Sequence, residues 1–251
     1  MRLDGKIALV TGGESGIGRA SATAMVDEGA KVHLVGLDGD GLEQAAVELG
    51  EQRASWTVAD VTDEDAVRDA IGAAVERYGR LDVVFSNAGN TGAVAPLEDY
   101  PSDEFARTLQ VHALGAFHVV KHASPHLGEG ASVIITSSVV GLMGFAGISG
   151  YIAAKHAQVG VMRAAAKELA PRRIRVNSLH PGPTSTAFQD SIEMRATGAS
   201  QQDAAAAFDE LIPLHRHATP AEIARTVLYL ASDDSAFMTG ATVAVDGGLT
   251  I

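Results

Sequence analysis

The stretch that decides the fold is Ile7–Gly18, which reads Ile-Ala-Leu-Val-Thr-Gly-Gly-Glu-Ser-Gly-Ile-Gly. Its first residues form an uninterrupted apolar run, which is typical of a strand buried on both faces of a parallel sheet. A glycine-rich turn follows and opens a helical pattern. In such a turn Gly12 allows a tight bend, Gly16 lets the backbone approach a phosphate, and Gly18 lets the helix pack closely on the strand. The stretch therefore predicts a strand–turn–helix unit whose helix N-terminus offers N–H groups to a phosphate.

The same alternation of apolar runs and helical segments continues along the chain. The predicted strands are 7–10, 32–35, 54–58, 81–85, 132–136, 174–179 and 241–245. Crossovers between parallel strands are right-handed and place helices on both faces of the sheet. We therefore predict an α/β protein in which residues 1–251 form a single-domain, doubly wound Rossmann fold with a seven-stranded, mainly parallel sheet. Residues 183–217 interrupt the alternation and are predicted to form a helical lid over a site within that domain.

The composition excludes several classes of function. The 251 residues include 19 Lys and Arg against 31 Asp and Glu, a formal net charge of −12, which argues against binding to nucleic acid or to an anionic membrane surface. The absence of cysteine excludes disulfides, thiolate metal sites and thiol nucleophiles. No apolar run is long enough to span a membrane, and the N-terminus does not resemble a signal peptide. We expect a cytoplasmic protein with no nucleic-acid or membrane partner.

Three histidines, His118, His122 and His126, recur at intervals of four residues and could line one helix face as metal ligands. Pro125 disturbs the last turn of that helix, and no carboxylate lies among the three in the sequence. We therefore expect these histidines to serve in packing, and we predict no bound metal.

A second group of residues points to proton transfer. Tyr151 and Lys155 stand four residues apart in a predicted helix, so their side chains share one face. Of the four tyrosines, only Tyr151 has a lysine at this spacing, and Ser138 precedes the pair at the end of the predicted fifth strand. A free phenol has a pKa of about 10, so a tyrosine that transfers protons near neutral pH needs a nearby positive charge. Lys155 can supply such a charge.

Together with the glycine turn, several short motifs occur in order along nearly the whole chain. They are Asp60-Val61, Asn87-Ala88-Gly89, Ser138, Tyr151-x-x-x-Lys155, Pro181-Gly182 and Asp246-Gly247-Gly248. This series, with the spacing Gly12-x-x-x-Gly16-x-Gly18, resembles the short-chain dehydrogenase/reductase family. The resemblance implies an oxidoreductase that transfers a hydride between a nicotinamide cofactor and a secondary alcohol or ketone.

The resemblance also implies roles for individual residues. Ser138 would hydrogen-bond the substrate oxygen and Tyr151 would exchange the proton. Lys155, helped by the charge of an oxidised nicotinamide, would lower the pKa of Tyr151 and would bind the nicotinamide ribose. Asp60 and Asn87 would contact the adenine and ribose side, and Thr184 with Thr186 would hold the carboxamide. The full predicted cofactor-binding set is Gly12, Ser15, Gly16, Ile17, Gly18, Asp38, Asp60, Val61, Asn87, Ala88, Gly89, Tyr151, Lys155, Pro181, Gly182, Thr184 and Thr186.

One motif departs from the family pattern. The helix after the fourth strand commonly carries a catalytic Asn in a sequence like Gln-Val-Asn, whereas this chain has His112 after Gln110-Val111. In the family that Asn is thought to hold a water that relays protons from the lysine to solvent. Two alternatives stay open: His112 preserves the relay through a ring nitrogen and is a fourth catalytic residue, or its role is structural.

The residues after the second strand bear on the choice between NAD and NADP. NAD-preferring relatives usually carry Asp where Gly36 stands. NADP-preferring relatives often carry Arg where Leu37 stands, or a basic residue in the glycine turn where this chain has Ser15. Neither pattern is intact, but the carboxylates of Glu14 and Asp38 would repel a 2′-phosphate. We therefore predict NAD as the cofactor, with NADP as the alternative.

Substrate contacts are expected from residues 90–97, residues 139–150 and the lid, which are largely apolar. They indicate a medium-sized, largely apolar alcohol or ketone as the small-molecule partner. Two other functions stay open: NADPH-dependent reduction of carrier-bound 3-oxoacyl groups, and dinucleotide sensing without catalysis. The resemblance also implies a homotetramer. The bulky apolar side chains expected near the substrate, in residues 139–150 and in the lid, are Met143, Phe145, Phe188, Met194 and Phe208.

Overall fold

A computed structural model describes the whole chain, residues 1–251. Its one sheet has seven strands in the spatial order β3-β2-β1-β4-β5-β6-β7, and every neighbouring pair is parallel. The predicted doubly wound α/β fold is therefore confirmed, with a sheet that is parallel throughout. The strands are β1 (Ile7–Thr11), β2 (Lys31–Gly36), β3 (Ala54–Val58), β4 (Leu81–Ser86), β5 (Leu127–Thr136), β6 (Arg175–Pro181) and β7 (Thr242–Val245).

Helices connect the successive strands. A π-helical turn, Gln110–Leu114, joins the fourth helix to the fifth, and a capping box between Thr219 and Glu222 begins the last helix. None of these helices combines the length and the apolar composition needed to cross a membrane. The helices are α1 (Gly16–Asp27), α2 (Gly39–Leu49), α3 (Glu64–Tyr78), α4 (Ser102–Leu109), α5 (Gly115–Ala123), α6 (Ser149–Leu169), α7 (Ala187–Thr197), α8 (Gln201–Asp209) and α9 (Pro220–Ala231).

The apolar side chains form two cores, one on each face of the sheet. Ile7 and Leu9 of β1 pack in a cluster with α3, α5 and α6. Ala8 and Val10 of the same strand pack in a second cluster with α1, α2 and α9. Successive side chains of a strand point to opposite faces, so a continuous apolar run in the sequence corresponds to a strand covered on both sides. The predicted placement of helices on both faces is confirmed.

The fifth strand begins earlier than predicted. The apolar run starts at Ser132, whereas β5 starts at Leu127, which pairs with Leu81 of β4 before the register shifts. The intervening Gly128–Gly130 is exposed and has the composition of a turn. The early start of β5 comes from the pairing of Leu127 with Leu81, a tertiary contact that sequence periodicity cannot predict.

The predicted lid, residues 183–217, contains α7 and α8 between β6 and α9. Phe208 of α8 stacks on Phe145 with ring centroids 6.2 Å apart. His217, just before α9, lies 2.7 Å from the carboxylate of Glu193 through Nε2 and 2.7 Å from that of Asp209 through Nδ1. These contacts tie both helices of the segment to the start of α9.

Candidate active site

The strand order reverses direction between β1 and β4, and a cleft opens there at the carboxyl ends of the strands. Such a switch point is where doubly wound folds bind ligands. The cleft has a volume of about 730 Å³ and is lined by residues from the loops after β1, β2, β3, β4, β5 and β6. The Thr11 hydroxyl accepts hydrogen bonds from the backbone N–H of Asn87 at 2.9 Å and of Ala88 at 3.0 Å, which joins the loops after β1 and β4.

The glycine turn has the backbone geometry that its sequence predicts. Gly12 and Gly16 have φ of +65° and +52°, in the left-handed region that favours glycine. A Cβ on Gly18 would lie 1.9 Å from the carbonyl oxygen of Gly12, so only glycine fits where α1 meets the turn. The turn thus presents backbone to the cleft and offers the α1 N-terminus to an anion.

Ser138, Tyr151 and Lys155 meet on one wall of this cleft. Ser138 follows β5, and the other two lie one turn apart in α6. The Lys155 side chain is buried, with its Nζ donating a hydrogen bond to the Thr136 carbonyl at 2.8 Å and lying 5.3 Å from the centre of the Tyr151 ring. The three residue types predicted to act together are therefore adjacent in space.

Burial sets the protonation of the two residues on α6. Burial raises the pKa of Tyr151 above its ordinary value, and the interaction with the Ser138 side chain only partly opposes it. Burial lowers the pKa of Lys155 to about 7. In the chain alone Tyr151 is therefore a neutral phenol, and Lys155 can hold or release a proton near neutral pH. Lowering the pKa of Tyr151 needs further positive charge beside the ring.

His112 lies on the π-helical turn beside these residues, and its ring is edge-on to Tyr151 with centroids 5.2 Å apart. Its Nε2 is 2.8 Å from the backbone oxygen of Asn90 and 3.2 Å from the backbone nitrogen, while its Nδ1 is buried without a partner. Burial, reinforced by the nearby charge of Lys155, lowers the pKa of His112 well below its ordinary value. The imidazole is thus neutral at physiological pH.

Two residues outside the predicted set support this wall. His180, at the end of β6, contacts the Ser138 backbone oxygen through Nδ1 at 2.7 Å. Gln158 donates a hydrogen bond from Nε2 to the His112 carbonyl at 3.1 Å. The sequence carries a signal for Gln158, because residues 151, 155 and 158 share one helix face. His180 stands directly before Pro181-Gly182, but its contact with Ser138 spans two strands and leaves no local pattern.

Of the predicted cofactor-binding residues, all but Gly18 and Asp38 line the cleft. Gly18 packs against the turn, as its predicted role requires. Asp38 is exposed and caps α2, where its Oδ1 accepts a hydrogen bond from Gly41 N at 3.1 Å. Three buried polar atoms of cleft-lining residues have no partner in the protein, namely Glu14 Oε2, Asn90 Oδ1 and His112 Nδ1. The glycine turn and these unsatisfied groups fit a ligand that carries both phosphates and hydroxyls.

Two histidines of the predicted series, His118 and His122 on α5, lie near a carboxylate from another part of the sequence. Glu64 at the start of α3 lies 2.9 Å from His122 Nε2 and 3.9 Å from His118 Nε2, and it also accepts a hydrogen bond from Lys121 at 2.5 Å. This carboxylate comes from another helix, so spacing along α5 could not reveal it. Because Lys121 already pairs with Glu64, the group is an ion-pair cluster between two helices.

Comparison with known proteins agrees with this geometry. A family model described as enoyl-(acyl carrier protein) reductase matches residues 12–250. Short-chain dehydrogenase reductase 3a of Arabidopsis thaliana is 38% identical across 100% of this chain and 97% of its own length. The crystal structure of levodione reductase has a TM-score of 0.94 at 34% identity, covering 99% of both chains. That of NAD⁺-bound xylitol dehydrogenase has a TM-score of 0.92 at 34% identity, covering 99% of this chain and 100% of the other.

The fold, the glycine turn and the adjacent serine, tyrosine and lysine thus agree with relatives that cover the chain from end to end. The chain belongs to the short-chain dehydrogenase/reductase family of oxidoreductases acting on alcohol and ketone groups.

Proposed function

We propose that this protein is an NAD-dependent oxidoreductase that interconverts a medium-sized, largely apolar secondary alcohol and the corresponding ketone. The observation that carries the proposal is the meeting of Ser138, Tyr151 and Lys155 on the wall of a cleft that begins at the glycine turn. The NAD⁺-bound xylitol dehydrogenase and levodione reductase, as structural relatives, support the cofactor class and the reaction class.

The residues of the chain divide the chemistry among them. The nicotinamide, when bound, supplies or accepts the hydride. The Ser138 hydroxyl donates a hydrogen bond to the substrate oxygen and orients the reacting carbon. Tyr151 Oη gives its proton to that oxygen in reduction and takes it back in oxidation. Lys155, 5.3 Å from the ring centre, stabilises the phenolate that results from the proton transfer.

The cleft-lining residues divide the cofactor among them in the same proposal. Backbone N–H groups of the glycine turn would bind the pyrophosphate. Asp60 and Asn87 would contact the adenosine side, and Thr184 with Thr186 would hold the carboxamide. Asn87 is already oriented, since its Nδ2 donates to the Thr11 carbonyl at 3.3 Å and its Oδ1 accepts from the Thr136 hydroxyl at 3.2 Å.

For His112 we propose that Nδ1 carries the family's proton relay. The backbone of Asn90 occupies Nε2, whereas Nδ1 has no partner, so the neutral ring can accept a hydrogen bond at Nδ1 from a water in the cleft and hold the water that relays protons from Lys155 to solvent. The test compares pH–rate profiles of His112→Asn and His112→Ala. A relay predicts that Asn keeps the profile and Ala loses activity on its basic or acidic limb; unchanged kinetics in both variants would leave His112 a structural residue.

The apolar side chains around the reacting centre support the proposed substrate class. Phe188 of α7 lies beside Tyr151, with ring centroids 6.2 Å apart. The stacked pair of Phe145 and Phe208 joins the loop after β5 to the lid. Arg195, the basic residue of α7, donates its hydrogen bonds to backbone oxygens of Ser191 and Gly92. The substrate is therefore held mainly by burial of apolar surface.

The test is a panel of alcohols and ketones assayed with NAD(H) and NADP(H), including a carrier-bound 3-oxoacyl substrate for the alternative activity. Tyr151→Phe should lower kcat by about 10² to 10⁴-fold while leaving NADH binding nearly unchanged. Tyr229→Phe, a half-exposed tyrosine on α9, is the matched control and should behave as wild type. Activity of Tyr151→Phe near the wild-type level would refute the mechanism and favour a sensing role.

The proposal includes a single domain with residues 183–217 as its lid, a homotetramer, and a cytoplasmic location. Large apolar side chains exposed on the single chain, among them Phe117, Phe237 and Ile251, support contacts between subunits. The absence of cysteine agrees with a reducing compartment. Light scattering of the purified protein tests the assembly, and a monomer would overturn it.

A further inference from the structure

Gly36 ends β2 and lines the cleft, and its backbone conformation does not require a glycine. Its φ lies outside the left-handed region, so its conformation is open to any residue. In doubly wound folds a carboxylate in this part of the chain hydrogen-bonds the adenosine ribose. The end of β2 in this chain carries no side chain that could do so.

The carboxylate of Glu14, from the glycine turn, occupies the space that a side chain at Gly36 would need. A Cβ added to Gly36 would lie 2.2 Å from Glu14 Oε2 and 2.7 Å from Oε1. Any larger residue at position 36 would therefore displace this carboxylate. The glycine at position 36 thus leaves space for the Glu14 carboxylate.

Glu14 keeps unused hydrogen-bonding capacity in this position. Its Oε2 is buried and accepts no hydrogen bond, and its carboxylate forms no ion pair in the protein. Arg19, which also lines the cleft, pairs its guanidinium with Glu48 instead. A buried carboxylate oxygen without a donor is costly, and a hydroxyl group of a ligand would satisfy it.

Asp38, the other carboxylate near the end of β2, is differently placed. It is exposed, it lies outside the cleft lining, and its Oδ1 is held by the backbone N–H of Gly41. Of the two carboxylates, Glu14 alone lines the cleft.

We propose that Glu14 takes over the role of the missing carboxylate at position 36. Its carboxylate accepts hydrogen bonds from the ribose hydroxyls of the adenosine half of NAD, and it repels the 2′-phosphate of NADP. The selectivity of the cofactor site is thus carried by the glycine turn after β1 instead of by the end of β2. This inference rests on the proposed function, because it assumes that the cleft binds a nicotinamide dinucleotide.

The test measures binding, not turnover, with ADP-ribose and 2′-phospho-ADP-ribose as calorimetric probes. Wild type should prefer ADP-ribose. Glu14→Gln should reduce that preference by about tenfold or more, since it removes a charged acceptor and a repulsive charge. Asp40→Asn, which removes an exposed carboxylate from the first turn of α2, is the matched control and should keep the wild-type ratio.

A relocation variant separates the role of Glu14 from damage to the fold. Gly36→Asp alone should weaken both probes, because the new side chain collides with Glu14. Glu14→Ser combined with Gly36→Asp should restore the preference for ADP-ribose, because the carboxylate then enters the same space from β2. Circular dichroism confirms that each variant is folded.

The outcomes distinguish the inference from the function on which it rests. Wild type that binds neither probe refutes the proposed dinucleotide site, and the inference with it. Wild type that prefers ADP-ribose, with an unchanged ratio in Glu14→Gln, refutes the inference alone. A loss of preference in Asp38→Asn but not in Glu14→Gln would assign selectivity to Asp38 and would likewise overturn it.

Discussion

The burial of Lys155 predicts that this lysine makes the fold less stable at neutral pH. The side chain is 3% exposed, and its pKa falls from an ordinary 10.5 to about 7. In the pH range between these values the unfolded chain binds more protons at this residue than the folded chain does. The free energy of unfolding therefore rises with pH across that range. Replacing Lys155 by Met, of similar length and no charge, should remove this dependence.

The magnitude follows from the two pKa values. The difference between them corresponds to about 5 kcal/mol of folding free energy where the lysine is charged in both states, near or below pH 6, and about 2 kcal/mol remains near pH 9. As the pH rises from about 6 to about 9, the free energy of unfolding of wild type should therefore increase by about 2 to 3 kcal/mol relative to that of Lys155→Met. The Thr136 carbonyl loses its hydrogen-bond donor in the variant, but the cost of that loss is nearly the same at both pH values.

The assay is denaturant unfolding of wild type and Lys155→Met at several pH values and one protein concentration. Lys167→Met, which replaces an exposed lysine on the same helix, is the matched control, and its difference from wild type should stay flat. Unfolding free energies of wild type and Lys155→Met that run parallel from about pH 6 to about pH 9 would refute the argument, because they would show that Lys155 ionises alike in both states.

Three further predictions concern the frame of the site. Gly18→Ala, which drives a Cβ into the Gly12 carbonyl, should cost about 1–3 kcal/mol and weaken nucleotide binding, whereas Gly72→Ala, at a helical glycine with open space, should not destabilise in thermal melts. Thr219→Ala should cost about 1 kcal/mol in denaturant unfolding by removing the capping box; an unchanged midpoint would contradict that. Burial lowers the pKa of His217 but its two carboxylate partners outweigh it and raise the pKa above 6.5, so the stability it contributes is complete below that pH. The advantage of wild type over His217→Gln should therefore shrink as pH rises through the raised pKa, and an advantage that grows would reverse the sign.

Most of the fold could be predicted from local sequence. Strands covered on both faces appear as continuous apolar runs, and the runs beginning at Ile7 and Val32 match β1 and β2 within a residue or two. The exception is the start of β5, where Gly128–Gly130 has the composition of a turn but follows Leu127, which pairs with Leu81 of β4. Local sequence predicts a strand well where both of its faces are buried. It fails where a strand depends on pairing with a distant part of the chain.

The sequence predicts which residues form the candidate site better than it predicts the contacts between them. The spacing of Tyr151 and Lys155 reveals their shared face, because both lie on one helix. The approach of Glu14 to Gly36 joins the turn after β1 to the end of β2, and no spacing along the chain encodes it. The sequence also suggests a charge-stabilised Tyr151, whereas burial raises its pKa in the chain alone; that effect depends on the surroundings of the ring, which become known only with the fold.

The hydrogen bonds from Asn87 and Ala88 to the Thr11 hydroxyl have a consequence for how the protein folds. They lie at the junction between one group of strands, built from residues 7–58, and another, built from residues 81–245. Each group carries only part of the cleft, so a folding intermediate that has formed one of them has no complete nucleotide site. Recovery of nucleotide affinity during refolding should therefore time the docking of the two groups of strands, and it should lag behind the return of helical circular dichroism.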